Sequence, residues 1–410
     1  MRYAGVLWLW AMLGACDDAP VAQADLTPDE DAQCQLATVL SDYTSTRISL
    51  LDAAGELCRA GVLHSGSAPL GLSTALSGDV VLGGPHPEDH ITLVDRFPNG
   101  VITWLDPVDF SVLGQLNVNT GFAANPQDVA HVSASRAYVS RLETNPRPGD
   151  IPFDGGGDLL VVDLSTSTIV DRVDLTPWGI DDDQGPLWPR PGAMVQAHDR
   201  VWVTLQRLSE EFDRGGSSML LGVSPTTGEV TDEVDLAPLK NCTALTRSPS
   251  GRGLWLGCTG VFLEGPEAQL AHSGVAYIDL EDGLALWQAS AAQLGGRHVG
   301  LSIAALDDSR AYVTVISPLD VQQQPDGVYL VDRAATTGRL MPLDAPPYAL
   351  GGMWLDPGAM QLLIPDGDPE RPRIWRFDIE ASGDLTALDA VDPDPEVGLP
   401  PRAVGSYRSR

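Results

Sequence analysis

The chain has 410 residues, with 25 basic against 56 acidic side chains, a formal net charge of −31 and a single lysine, Lys240. Nucleic-acid binding needs a basic face to neutralise phosphate, so that class of function is excluded. The acidic excess reads first as solubility, including in a saline habitat, with cations or basic partners as the other readings.

The chain opens MRYAGVLWLWAMLGAC. Arg2 is a positive n-region and Tyr3 to Met12 form an apolar core too short for an ordinary membrane span. Leu13-Gly14-Ala15-Cys16 places an aliphatic residue and two small ones before a cysteine. This resembles a bacterial lipoprotein signal, which implies cleavage before Cys16 and diacylation of its thiol. Residues 1–15 are then the signal peptide. Residues 16–33, acidic and poor in large apolar side chains, are a tether. The expected location is the bacterial cell envelope, lipid-anchored and facing periplasm or cell surface, with the lipid as the only membrane contact.

From residue 34 onward one pattern recurs seven times. A short apolar stretch ends at Asp52, Asp106, Asp163, Ser224, Asp279, Asp332 and Asp378, with spacings of 54, 57, 61, 55, 53 and 46 residues. Each is followed by a polar turn and a second apolar stretch. Repeats of short strands at such a period predict a propeller. The fullest copy, Pro126 to Leu175, reads as four strands a to d over about 127–133, 136–142, 158–163 and 168–175. RVWVT from Arg200 and RAYVT from Arg310 repeat its RAYVS from Arg136, with GDVVLGG from Gly78 as a looser strand b. Near the N-terminus QLATVL, RISLLD and ELCRAGVL supply strands b, c and d without a strand a, and PRAVGSYR from Pro401 supplies a strand a without a blade. The expected fold is therefore all-β: residues 34–410 as a seven-bladed β-propeller of four-stranded antiparallel blades, its ring closed by strands from both chain ends.

RAYVSR followed by GGDLLVVDLSTSTIV resembles the YVTN-type β-propeller repeat. The likeness covers most of residues 64–392, though no copy has the full Tyr-Val-Thr-Asn. It implies the seven-bladed scaffold and carries over no catalytic residue.

With Cys16 lipidated, Cys34, Cys58, Cys242 and Cys258 remain, an even number in an exported protein. Cys242 and Cys258 begin and end one a–b hairpin, which suits a disulfide. Cys34 with Cys58 follows by exclusion. No CxxC supports zinc, and no cofactor is expected. DIPFDGGGD from Asp150 and DGD from Asp366 offer oxygen ligands for Ca²⁺ without matching the EF-hand pattern. His86 and His90, in HPEDH with Glu88 and Asp89, carry transition-metal donor types. The motif is not HExxH and sits on a loop, so no metal is expected there.

Long connections are expected at 85–98, 142–156, 206–217, 259–273 and 317–326, between strands b and c, and at 176–190 between blades. On a propeller they share the face that usually carries function. Residues beginning strand a should ring the channel on that face: Asp128, Arg190, Lys240, Arg297, His298, Tyr348 and Arg402. A basic mouth in an acidic protein suits an anionic ligand. The function expected is a non-catalytic binding or scaffold module, monomeric, for an envelope protein or glycan. The alternative is a lactonase-like hydrolase with its site over the channel, for which His298, Arg297, Asp128 and Arg402 form the nucleus.

Overall fold

The repeated aspartate works as a turn-former. Asp52 Oδ1 accepts hydrogen bonds from the N–H groups of Ala54 and Glu56 at 2.8 and 2.9 Å. Asp106 accepts from Val108, Asp163 from Ser165, Asp279 from Glu281 and Asp332 from Ala334 in the same way. At the divergent copy Ser224 Oγ accepts from Thr227 N–H. A short acceptor side chain that binds backbone two or three residues ahead stabilises a tight reversal. This is the physical content of the period.

The computed structural model describes residues 34–67, 71–317 and 324–408. The expected signal peptide, Cys16 and tether lie outside them. Seven four-stranded antiparallel sheets form the seven blades of a β-propeller. Blade 1 is built from both ends: Pro401–Ser406 is its inner strand, followed outward by Cys34–Ser41, Thr46–Asp52 and Leu57–His64. The inner strands of blades 2 to 7 are Val80–Leu82, Pro126–Ser133, Pro191–Ala197, Cys242–Arg247, His298–Ala305 and Trp354–Asp356. Blade 3 continues with Arg136–Thr144, Gly156–Asp163 and Thr168–Asp174, close to the expected limits.

Burial follows position in the blade. Third strands such as Met219–Val223 and Ser273–Asp279 are buried throughout, because a blade is covered on both faces. Outer strands such as Thr168–Asp174 are largely exposed. Apolar clusters fill the interfaces between adjacent blades, including that between blades 7 and 1, where Leu363 and Ile374 meet Leu36, Leu51 and Val404. At that junction a Cβ on Gly351 would stand 2.2 Å from the Arg402 carbonyl oxygen, so only glycine permits the two inner strands to approach.

One strand was misplaced by the sequence pattern. GDVVLGG holds the inner strand of blade 2, and the second strand is Ile91–Asp95. The expected b–c loop 85–98 is therefore two connections. The segment 83–90, with HPEDH, joins the first and second strands and lies on the opposite face from the other long loops. The inner strand has only three residues, and the fully buried ITLVD lacks the alternation that marks half-exposed strands elsewhere.

One disulfide, Cys242–Cys258, is formed among the described residues, between directly paired positions of the blade 5 hairpin. Cys34 and Cys58 lie two strands apart in blade 1 and share one apolar cluster.

The long loop of blade 3 hangs on a buried ion pair. Arg141 and Asp158 are both fully buried, joined by Nε–Oδ1 and Nη2–Oδ2 bonds of 2.8 and 2.7 Å. The remaining donors of Arg141 reach the carbonyls of Val118 and Phe153 and Thr120 Oγ1. Removing one partner strands a charge in an apolar interior. Arg141→Ala is expected to cost about 3–5 kcal/mol of unfolding free energy by chemical denaturation. Arg371→Ala, at the exposed pair with Asp344, should leave the midpoint almost unmoved.

Candidate active site in the central channel

Six of the seven inner strands enclose a cavity of about 630 Å³. Its walls are Val81–Pro85, Asp128, Thr246–Pro249, Ile303–Ala305, Gly352–Leu355 with Pro357, and Ala403–Ser406 with Arg408. Several of these, including Arg247, Ser248, Pro357 and Arg408, sit at or beyond the ends of inner strands rather than their beginnings. The cavity thus extends toward the face of the short first-to-second-strand turns, opposite the long loops. Its charged residues are Asp128, Arg247 and Arg408.

Asp128 is held by three blades. Oδ1 accepts from its neighbour Val129 N–H and Oδ2 from Met194 N–H of blade 4, both at 2.7 Å. Gly84 of blade 2 approaches through its N–H, which donates to the Val129 carbonyl at 3.0 Å. Burial raises the Asp128 carboxyl to about 7, against the opposing pull of the backbone N–H groups of Met194, Val129 and Gly84. The residue nonetheless keeps partial exposure and lines the cavity. Arg247 is exposed and forms no ion pair among the described residues. Arg408 Nη2 donates to the Cys34 carbonyl at 3.0 Å, and its backbone bridges to His86.

The other expected mouth residues are each engaged locally. Arg190 is buried, pairs with Glu143 at 2.5 Å, donates to the carbonyls of Ser209 and Glu210, and lies over Phe212. Lys240 pairs with Glu264 at 2.6 Å. Arg297 donates to the Pro325 carbonyl, and Arg402 to the Ser41 carbonyl while covering Tyr43. His298 Nε2 meets the Pro266 carbonyl at 3.1 Å, and burial lowers its pKa. Tyr348 Oη donates to the Ser317 carbonyl. These side chains brace the long loops, and among them Asp128 lines the cavity. The sequence reading missed Arg247 and Arg408 because it marked the beginnings of inner strands. The usable signal was an arginine at or just past the last position of an inner strand.

Three carboxylates of the glycine-rich loops are also engaged. Asp158 pairs with Arg141, Asp154 Oδ2 accepts from Gly149 N–H, and Asp366 Oδ2 accepts from Arg373 and Trp375.

A second group of polar residues stands beside the channel between blades 2 and 3. His86 and His90 stack at 4.4 Å between ring centroids, and His131 from the inner strand of blade 3 meets His86 edge-on at 4.6 Å. The donor atoms of His86, Glu88 and His90 lie within 4.8 Å of one another. Desolvation lowers the pKa of His86 to about 4 and of His131 to about 3. His131 was invisible to the motif search, since blade packing alone brings it there.

No protein-family model and no curated protein matches the sequence. Solved structures share the fold along nearly its whole length. A putative 6-phosphogluconolactonase from Bacteroides fragilis superposes with a TM-score of 0.58 at 12% identity, covering 92% of this chain and 98% of its own. A protein from Lactobacillus plantarum gives 0.57 at 15%, covering 91% and 98%. The periplasmic gluconolactonase of Pseudomonas aeruginosa gives 0.56 at 14%, again covering 91% and 98%. At such identities the likeness is one of fold. The expectation of a non-catalytic binding or scaffold module is nonetheless corrected: full-length neighbours carry hydrolase names, and the channel cavity is lined by a carboxylate raised toward neutrality and by two arginines.

The raised Asp128 carboxyl ties stability to pH. Its protonated form is favoured by folding, so its contribution is fully present below the ordinary value of 3.8 and is lost as pH rises through about 7. Unfolding free energy measured from pH 4 to 8 should therefore carry a downward component that Asp128→Asn removes.

Proposed function

We propose that this protein is a lactonase-like hydrolase with its site in the central channel and Asp128 as general base. The observation that carries the reading is a carboxylate with a pKa near 7 on the wall of a 630 Å³ cavity that also holds Arg247 and Arg408. A base is most effective when its pKa lies near the working pH. The ionised Asp128 takes a proton from a water as that water attacks the lactone carbonyl. The tetrahedral intermediate collapses with cleavage of the ring C–O bond, and the proton passes from Asp128 to the departing alkoxide. The products are a hydroxy acid and the regenerated carboxylate. Arg247 and Arg408 supply positive charge for the oxyanion and then for the carboxylate product. The names of the full-length fold neighbours support the same reaction class.

The assay is ring opening across a panel of sugar and aliphatic lactones, followed by acid release. Asp128→Asn should lower kcat by about 10²–10⁴. Wild-type kcat should rise with pH through about 7 and then level, because the base acts when deprotonated. Lack of turnover on any lactone, or a pH profile unchanged in Asp128→Asn, rules the assignment out.

The same proposal places the protein in the envelope, lipid-anchored at Cys16 through the tether, as a monomeric YVTN-like propeller with a second disulfide between Cys34 and Cys58. No helix among the described residues is long and apolar enough to cross a membrane. Mass spectrometry of the membrane fraction should find diacylglycerol on Cys16 and a linked Cys34–Cys58 peptide pair. Cys16→Ser should move the protein to the soluble envelope fraction. An unlipidated wild-type N-terminus would refute the anchor.

A further inference from the structure

The cluster His86, Glu88, His90 and His131 belongs to no step of the proposed hydrolysis. It joins two blades at the edge of the channel. The segment 83–90 leaves the inner strand of blade 2 through Gly83, Gly84 and Pro85, which line the channel cavity. It then returns over blade 3. His86, Glu88 and His90 sit on this one turn with their donor atoms mutually within 4.8 Å, and a separate cavity of about 90 Å³ opens beside them. His131, 93% buried, reaches the same place from the inner strand of blade 3.

We infer that His86, Glu88 and His90 bind a divalent transition-metal ion of the zinc class at the edge of the channel, where His131 of blade 3 packs against the His86 ring. Two imidazoles and one carboxylate are the donor set of borderline metals, and a small adjoining cavity leaves room for a water. His131 backs the pair of rings without ligating: Trp104 Nε1–H donates to its Nε2 at 3.4 Å, which leaves the proton on Nδ1, and its ring meets His86 edge-on. Loading makes one exchange. Glu88 N–H now donates to His86 Nδ1 at 3.0 Å, and ligation through Nε2 requires Nδ1 protonated, so the turn releases that contact and closes on the ion.

A site with two imidazoles, one of them buried, differs from chance pairing of exposed carboxylates. Glu88 is the one exposed ligand, His86 is buried and His90 is intermediate. An ion here would be reached from solvent past Glu88 and retained by the rings behind it.

The test uses the full chain purified without a polyhistidine tag. Titration with Co²⁺, followed by visible d–d absorption and by competition with Zn²⁺, should show one equivalent bound. Zn²⁺ should also raise the thermal midpoint, since it binds the folded state. Glu88→Gln changes an exposed side chain and should fold normally, which circular dichroism checks. It and His90→Ala should each weaken binding more than about tenfold. His198→Ala, at an exposed histidine away from the cluster, should bind as the wild type does. Absence of Co²⁺ uptake at millimolar metal overturns the site, as does equal affinity in wild type, Glu88→Gln and His90→Ala. These readouts do not involve lactone turnover, so the site stands or falls apart from the hydrolase reading.

Discussion

The pairing of Cys34–Ser41 with Pro401–Ser406 is the contact on which the rest of the molecule depends. It joins the two ends of the chain through one antiparallel ladder, reinforced by Thr38 Oγ1 donating to the Ala403 carbonyl and Tyr407 Oη to the Cys34 carbonyl. Without it blade 1 lacks its inner strand, and blades 7 and 2 each face a gap. Every blade buries apolar side chains against both neighbours, so no blade has a complete core of its own. Opening the ring at one place therefore exposes two apolar faces and an unpaired strand edge at once. The fold is cyclic in its energetics although each blade is local in its hydrogen bonding.

That closure also makes a rigid site. Around the channel, polar side chains reach across blade boundaries to backbone groups that the inner strands leave unpaired. Asp128 accepts from Met194 N–H, Ser140 Oγ donates to the Gly192 carbonyl, and Ser302 Oγ accepts from Met353 N–H. Each is buried or nearly so, where an unmatched polar group is costly. The same requirement that closes the channel thus places a carboxylate inside it. Chemistry needs only that one bridging carboxylate keep an edge toward the cavity, and Asp128 does.

How far the sequence carried is clear residue by residue. The blade count, the shared first blade and the Cys242–Cys258 hairpin were legible because the aspartate-terminated strand and its turn are local signals. The register failed in blade 2, where a three-residue inner strand gives too little pattern and a fully buried second strand has no alternation. Of the charged residues on the cavity wall, only Asp128 was legible. Arg247, Arg408 and His131 reach their places through the meeting of inner strands far apart in the chain, and no spacing records that. The basic residues singled out at strand beginnings were conspicuous for their charge, yet in an acidic chain most are matched by a nearby carboxylate or carbonyl.

The charge economy bears on what can enter the channel. A chain of net charge −31 repels anions at long range, but the field of exposed charges fades over a Debye length of about 8 Å at physiological salt. Inside the cavity the local balance is reversed: two arginines stand against one aspartate that is half-protonated near neutral pH. Most arginines elsewhere serve structure through buried or loop-bracing pairs, while Arg247 forms no ion pair among the described residues. Under the proposed hydrolysis a neutral lactone would cross the outer field without penalty, and its ring opening would leave a carboxylate in the cavity that the arginines line. Product release into the acidic surroundings is then favoured once the anion leaves their reach, and salt, by screening the outer field, should act mainly on that step. Under that proposal the distribution of charge that reads as mere solubility in the sequence gives the channel a direction: neutral in, anionic out.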